Sequence, residues 1–416
     1  MRIIIKNGRI FDAIDGKVRE NGAIVISGCS IEKIFPPGEP FVEQSGDNVF
    51  DLQEEVDSFI MPGLIDSHLH LAHSGFDKRE KIGREALIMT RFVNNGIRDL
   101  ISGVTTVRDC GAAKHIDVAY KKALSLKLLV GPRTYISGQP IIATGGHCTY
   151  MGRQVDGPYE AMKGTREQID KMVDFIKIMV TGGLTTPTGT PTTAQLTIKE
   201  ISAIVEVAHM NEKKVSVHLE GGPSLIPCVE VGIDILDHGI YMTDEDVECL
   251  AKHKVSYVPT LAAIYLIAYE GDKEAVPVDA TTMDKAKKAV EIHLKSFEKA
   301  AKAGVLISAG TDYKHGILAV ELELMSKGGF SNERALLAAT RDGAKVMGID
   351  DKVGTLEAGK LADLLILCGN PLENIKDVRK VNMVFLDGQM VVKEGMLLFP
   401  DSYISEPIQS IYNDGR

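Results

Sequence analysis

The chain of 416 residues lacks a C-x-x-C pair. Its six cysteines, Cys29, Cys110, Cys148, Cys228, Cys249 and Cys368, are scattered, which indicates neither a zinc ribbon nor a disulfide framework and fits a reducing cytosol. It lacks an uncharged apolar stretch of the roughly 18 residues that a membrane span needs. The longest, around Val258 to Tyr269, falls short, and the apolar run in MRIIIKNGRIFD is too brief for a signal-peptide core. Positive charge is not in excess either: 47 Lys+Arg against 57 Asp+Glu leave a net charge of −10. With no basic stripe interleaved with aromatics, this argues against a nucleic-acid partner. No G-x-G-x-x-G follows an early strand, so a dinucleotide site finds no support, and no repeat or low-complexity tract is present. What is there, 44% hydrophobic and 25% charged residues, is the composition of a soluble globular protein, expected in the cytoplasm.

Two textures divide the chain. In residues 1–60, short β-branched runs (RIIIKNGRIFD, GAIVISGCSIEKIF, NVFDLQEE, DSFIMPG) are separated by Gly, Asp and Asn and read as hairpin strands. The same texture returns in residues 351–416, in KVGTLEAGKLADLLIL and VNMVFLDGQMVVKEG, where Asp-Gly signals a tight turn. Both ends together are expected to form one small β-sandwich, since termini of compact chains often lie close. Between them, residues 61–350 alternate apolar runs with helical periods such as TIKEISAIVEVAHMNEKK. Eight runs qualify as strands: GLIDSHLHL, GVTTVRDC, RTYISG, FIKIMV, VSVHLE, DILDHGI, SYVPTL and VLISAGTD. Eight β/α units imply a (β/α)8 TIM-like barrel, with its active site at the C-terminal ends of the strands.

That rule turns attention to the polar residues at those ends. The first run finishes in His68-Leu69-His70, where alternation puts both imidazoles on one face, able to chelate one ion. The fourth buries Lys177 among Phe175, Ile176, Ile178 and Met179, a poor place for a free ammonium unless it is paired or chemically neutralised. The fifth ends at His218, the sixth at His238 and the eighth at Asp312. Each alone has a plain explanation: a lone strand-end His is ordinarily a hydrogen-bonded core residue, a buried Lys ordinarily finds a carboxylate, and Asp312 could cap a helix. Four His, one Lys and one Asp at or near the ends of five separate runs are harder to explain that way. His209, His253 and His293 fall in charged helical segments and read as structural, while His73 and His115 could rim the mouth.

This constellation resembles the amidohydrolase superfamily of metal-dependent hydrolases. MPGLIDSHLHL, the fourth-run lysine, the fifth- and sixth-run histidines and the eighth-run aspartate carry the resemblance, and GTLEAGKLADLLIL looks like the segment that completes the family's β-sandwich. GVTTVRD, the TGGH of Thr144 to His147, DFIKIMVTGG, ILDHGIYM and SYVPTL resemble the imidazolonepropionase-like branch, which includes prolidases and Xaa-dipeptide carboxypeptidases.

The resemblance implies two divalent metal ions, preferably zinc: His68, His70 and Asp312 on one, His218 and His238 on the other, and an N6-carboxylated Lys177 bridging them. It implies attack on an amide C–N bond by a metal-bridging hydroxide, with Asp312 as catalytic base. It further implies that His147 and Tyr241 hold the α-carboxylate of a small-molecule substrate, a dipeptide or an N-acyl amino acid. A cyclic amide is the alternative substrate, a barrel without catalysis a weaker reading, and a homo-oligomer is expected by analogy only.

The chain departs from the branch at His218-Leu219-Glu220-Gly221, where H-A-H-G is common, and at Tyr313-Lys314-His315, where small residues are usual. Glu220 and Lys314 could reshape the pocket, or could merely cap a helix and face solvent. Arg108 and Asp109 could reach the mouth or pair beneath it. Specificity is expected in the loops Pro187 to Gln195 and Tyr265 to Thr282, with Thr185 to Pro191 as a candidate lid.

Overall fold

The computed structural model describes residues 2–53, 57–73, 84–184, 190–273 and 277–400. Most of the candidate lid, and parts of both specificity loops, lie outside them.

The two chain ends meet in one sheet. From the N-terminus come β1 (Arg2–Phe11), β2 (Val18–Ser27), β3 (Ser30–Phe35), β4 (Asn48–Asp51) and β5 (Ser58–Pro62). The central segment contributes β6 (Leu64–Leu69), β7 (Val104–Asp109), β8 (Arg133–Ile136), β9 (Ile141–Ala143), β10 (Arg153–Val155), β11 (Ile176–Met179), β12 (Val215–Gly221), β13 (Ile235–Tyr241) and β14 (Ser256–Val258). The C-terminal part adds β15 (Leu364–Cys368), β16 (Val381–Leu386), β17 (Gln389–Lys393) and β18 (Met396–Leu397).

The terminal strands run β18-β17-β16-β15-β5-β1-β2-β3, with β4 beside β1. Antiparallel pairing of β5 with β15 (Ile60 opposite Ile366) joins the two halves. The expected sandwich is thus one continuous hydrogen-bonded sheet bent back on itself. Its far edge returns to the start of the C-terminal half, where the Ile31 N–H donates to the Lys360 carbonyl at 2.8 Å. The reason is burial: Ile3, Ile5, Ile24, Ile26, Ile60, Leu364, Ile366 and Phe385 form a core of their own that the curl encloses. The opposite face, with Phe11, Phe59, Met61, Leu365 and Leu367, packs into the main core. The Asp-Gly turn behaves as its sequence predicts, with φ of 49° at Asp387 and 72° at Gly388.

Among the described residues the strands of the central segment pair in parallel, in a six-stranded sheet β10-β9-β11-β12-β13-β14 and a three-stranded sheet β6-β7-β8, with one isolated antiparallel bridge between Thr181 and Ala194. Its longer strands β6, β7, β12 and β13 are buried almost throughout, as strands covered on both faces must be. Intervening helices supply the cover. Thr197 with Glu200, and Thr243 with Asp246, form capping boxes that start the helices Ile198–Met210 and Asp244–His253.

Seven of the eight expected strands form. The eighth run makes only an isolated bridge, Ile307 with Tyr257. It nonetheless spans the two sheets: the Ser308 N–H donates to Tyr257, and the Ser67 N–H donates to Ala309. The N–H groups of Thr311 and Asp312 both donate to the His68 carbonyl at 2.9 Å. Gly310 permits this approach, because a Cβ there would stand 2.8 Å from the Cβ of His68. On the other flank, the Asp174 N–H reaches the Ile136 carbonyl at 2.8 Å. The short strands β9 and β10 were not expected.

Candidate metal centre

The strand ends bring the sequence-expected residues into one buried cluster. His68 and Asp312 lie 3.3 Å apart (Nε2 to Oδ1), and His70 Nε2 is 3.5 Å from the same oxygen. Asp312 Oδ2 is 3.8 Å from His238 Nδ1. The His238 ring centre lies 4.9 Å from that of His68 and 4.6 Å from that of His218. All four imidazoles are buried, whereas the Asp312 side chain is 24% exposed and so reachable from the mouth. His238 and Asp312 sit at φ of 73° and 48°, strained for non-glycine residues, as is common where a side chain is aimed at a functional centre.

Lys177 has a carboxylate partner. Its Nζ donates to Asp237 Oδ2, which also accepts from Ser216 Oγ at 2.6 Å, while Asp237 Oδ1 accepts from Arg108 Nη2 at 2.8 Å. Sequence reasoning did not single out Asp237. Arg108 therefore pairs with Asp237 and not with its neighbour Asp109, which instead accepts the N–H groups of Leu71 and Gly111.

The electrostatics follow from burial against charge. Burial holds His70 down to about 3 despite Asp312 nearby, and it takes His218 and His238 well below the usual histidine range. These rings are neutral, as metal ligation requires. Burial opposes ionisation of Asp312 too, but His68, itself raised well above the usual histidine range, outweighs it by charge and hydrogen bond and holds the carboxyl well below its ordinary value. Asp237 is likewise held down against burial by Lys177, His68 and Arg108. Burial pushes Glu220 up to about 8, with the Asp312 charge adding to it.

Donor atoms of His68, His238 and Asp312 all lie within 4.8 Å of one another, as do those of His68, Cys110 and Asp237. Nitrogen and oxygen donors converging at that spacing suit a divalent ion such as zinc. Supporting contacts fix the rings: His70 Nδ1 with the Gly111 carbonyl at 3.0 Å, His238 Nδ1 with Thr260 Oγ1 at 2.7 Å, and His218 Nε2 with the Gly182 carbonyl at 3.2 Å. Asp66 ties the first strand to the last by accepting the Thr311 hydroxyl at 2.7 Å and the N–H groups of His68 and Thr311.

This arrangement of strand-end histidines and aspartate has a family. Residues 59–391 match the model of the amidohydrolase family. The chain belongs to that family. This amidohydrolase is 28% identical over 425 residues to the ochratoxinase of Aspergillus niger, covering 92% of this chain and 85% of the relative. Among solved structures, it is similar to a Xaa-Pro dipeptidase with bound methionine in its active site (TM-score 0.85, 29% identity, 94% of this chain and 99% of that one). It is also similar to a prolidase complexed with N-methylphosphonate-L-proline (TM-score 0.85, 27% identity, 95% and 100%). The amidohydrolase is thus a hydrolase of C–N bonds, and no helix among its described residues is long and apolar enough to cross a membrane.

The remaining expectations divide. His147 joins the cluster: its ring stacks on His218, with centres 4.4 Å apart and planes 20° apart, and its N–H donates to Gln195 Oε1. Gly183 makes room, since a Cβ there would come within 2.8 Å of the His147 ring. Tyr241 is half-buried at the end of β13, close enough for the Glu220 charge to raise its hydroxyl, with burial the larger cause.

His73 stacks on His70 and meets the Tyr150 hydroxyl at 2.8 Å, as a rim residue would. His115 turns away to Gln168. His315 pairs with Asp99 at 2.8 Å and meets the His70 carbonyl, and Lys314 lies over the Tyr313 ring. His293 is buried and donates from Nε2 to the His238 carbonyl at 2.9 Å, a supporting contact its charged helix had hidden.

Proposed function

We propose that this amidohydrolase is a binuclear metal enzyme that hydrolyses the amide C–N bond of a dipeptide or an N-acyl amino acid. The observation that carries the reading is the convergence of His68, His70 and His238 on the Asp312 carboxylate, with His147 stacked beside them on His218. In this reading the eight parallel segments complete a (β/α)8 barrel spanning about residues 61–350, and residues 1–60 and 351–416 form the β-unit against it.

His68, His70 and Asp312 would hold one ion, and His218 and His238 the second. Lys177 would bridge them as a carbamate. Its charge reaches His68, His218 and His238, and carboxylation would leave Asp237 to Arg108 and Ser216. When bound, two such ions make a water nucleophilic near neutral pH and polarise the scissile carbonyl.

The chain's own groups do the rest. Asp312, with its oxygens turned to the ligand cluster and its side chain open to the mouth, takes the proton of the attacking water and delivers it to the departing amine nitrogen. His147 and Tyr241 donate to the substrate carboxylate and fix the amide in register.

Amine release from a library of Xaa-Yaa dipeptides and N-acyl amino acids tests the reading, using protein prepared with zinc and bicarbonate beside a chelated control. Metal-dependent cleavage with a C-terminal preference is expected. Absence of cleavage by protein carrying two metals would overturn it in favour of a cyclic amide. Within the same assay Tyr241→Phe should raise KM about tenfold with kcat retained, the loss of one hydrogen bond to a charged group. An unchanged KM removes Tyr241 from the clamp.

A further inference from the structure

The fifth barrel segment carries an acid that the scheme above does not use. Glu220 follows His218 by two residues on β12, so both side chains leave the same face of the strand. It is buried at 4% exposure, and its Oε1 lies 3.9 Å from His218 Nε2. Its Oε2 is buried with no hydrogen-bond partner among the described residues. The Glu220 N–H donates to Thr181 Oγ1 at 3.2 Å, which anchors the backbone and leaves the carboxylate unsatisfied.

A buried acceptor without a donor is costly unless a ligand supplies one. The scheme above assigns Glu220 to neither ion. A substrate ammonium would supply the missing donor and the opposite charge together.

We propose that Glu220 selects substrates that carry an ammonium group on the carbon next to the scissile carbonyl, so that the enzyme prefers free dipeptides to N-acyl amino acids. The inference rests on the amide-hydrolase reading above and narrows its substrate class. The geometry is that of the dipeptide itself. The α-nitrogen is one carbon removed from the carbonyl, so a carbonyl seated against the ligand cluster brings that nitrogen within reach of an acid beside His218. The carboxylate of the leaving residue lies across the scissile bond, at the opposite end of the substrate.

The test compares two substrates that differ only in that ammonium, alanyl-Yaa and propionyl-Yaa, with Yaa the residue released best in the dipeptide screen. Wild-type enzyme should favour alanyl-Yaa in kcat/KM by about tenfold or more, the worth of one charge-assisted hydrogen bond. In Glu220→Gln the preference should collapse toward one, while Glu220→Asp, which keeps the charge, should retain part of it. Metal content and thermal midpoint are measured on each variant to show that it is folded and loaded. Equal cleavage of both substrates by the wild type overturns the inference and leaves the hydrolase reading standing, and needs no variant. A preference that persists in Glu220→Gln also overturns it. Cleavage of neither substrate overturns the dipeptide reading, and the inference with it.

Discussion

Lys177 on β11 donates to Asp237 on β13 across the intervening strand β12, and neither side chain is exposed to solvent. Ser216 of β12 donates to the same carboxylate from between them, and Arg108 of β7 reaches it from the other sheet. One aspartate thus collects two buried cations and a hydroxyl directly beneath the ligand cluster. In the metal-free protein, Asp237→Asn leaves both cations without an anion, and breaking a buried pair in this way costs about 3–5 kcal/mol. Urea unfolding of wild type and variant, both stripped of metal and bicarbonate, measures it. A loss below about 1 kcal/mol would show that Asp237 does not neutralise this layer.

Asp312 is the group that the proposed chemistry needs most and the fold needs least, since its side chain lies at the mouth while its neighbours are sealed. Asp312→Asn removes the proton acceptor but keeps the shape, so kcat should fall by about 10²–10⁴ with the far-UV circular dichroism unchanged. Metal content must be determined on the same sample. A metal-replete variant that retains its turnover removes Asp312 from the role.

The histidine cluster was legible in the sequence because a strand covered on both faces is apolar, so His68, His70, Lys177, His218 and Asp312 stand out against it. Asp237 was not, for a backbone reason. On a regular strand, Asp237 and His238 point to opposite faces, so choosing the histidine discards the aspartate. The φ of 73° at His238 breaks the alternation, and both side chains reach the centre. Thr260, His293 and Glu321 were hidden differently, since their contacts join elements far apart in sequence and no local pattern marks them. The strands β9 and β10 are three residues each, set among Gly and Pro, too short for a period to show. The terminal strands were plain from their β-branched runs, but their closure into one curled sheet depends on the β5–β15 pairing, which joins residues some 300 positions apart.

Acid should destabilise the protein partly through His293. Burial holds this ring down to about 4, against 6.5 for an ordinary histidine. Its folded-state pKa lies below the unfolded one, so its contribution to stability is complete above pH 6.5 and is lost as the pH falls from 6.5 toward 4. Summed over that window the loss is on the order of 3 kcal/mol. The difference in urea-unfolding free energy of the metal-free protein between pH 7 and pH 5 should therefore be smaller in His293→Gln, which cannot titrate, than in wild type. Equal differences would assign the acid sensitivity to other groups.

The contact between Thr260 and His238 links the candidate metal centre to a helix start. Glu321 accepts the N–H groups of Leu261 at 3.0 Å and Ala262 at 2.6 Å, a carboxylate set on the first turn of the helix Leu261–Glu270. That anchor holds Thr260 at φ of 55°, with its hydroxyl 2.7 Å from His238 Nδ1. Partners that orient a metal-ligating histidine typically change metal affinity by about 10–100-fold when removed. Thr260→Val keeps the branched shape and the backbone preference and deletes only the hydroxyl, whereas Thr260→Ser keeps the hydroxyl. Competition with a chromogenic chelator should show zinc affinity about 10–100-fold weaker in the valine variant and closer to wild type in the serine variant. Because the readout is affinity and not turnover, it separates orientation of the ring from any part in the chemistry. Equal zinc affinity in wild type and Thr260→Val would show that the His238 ring is held by packing alone.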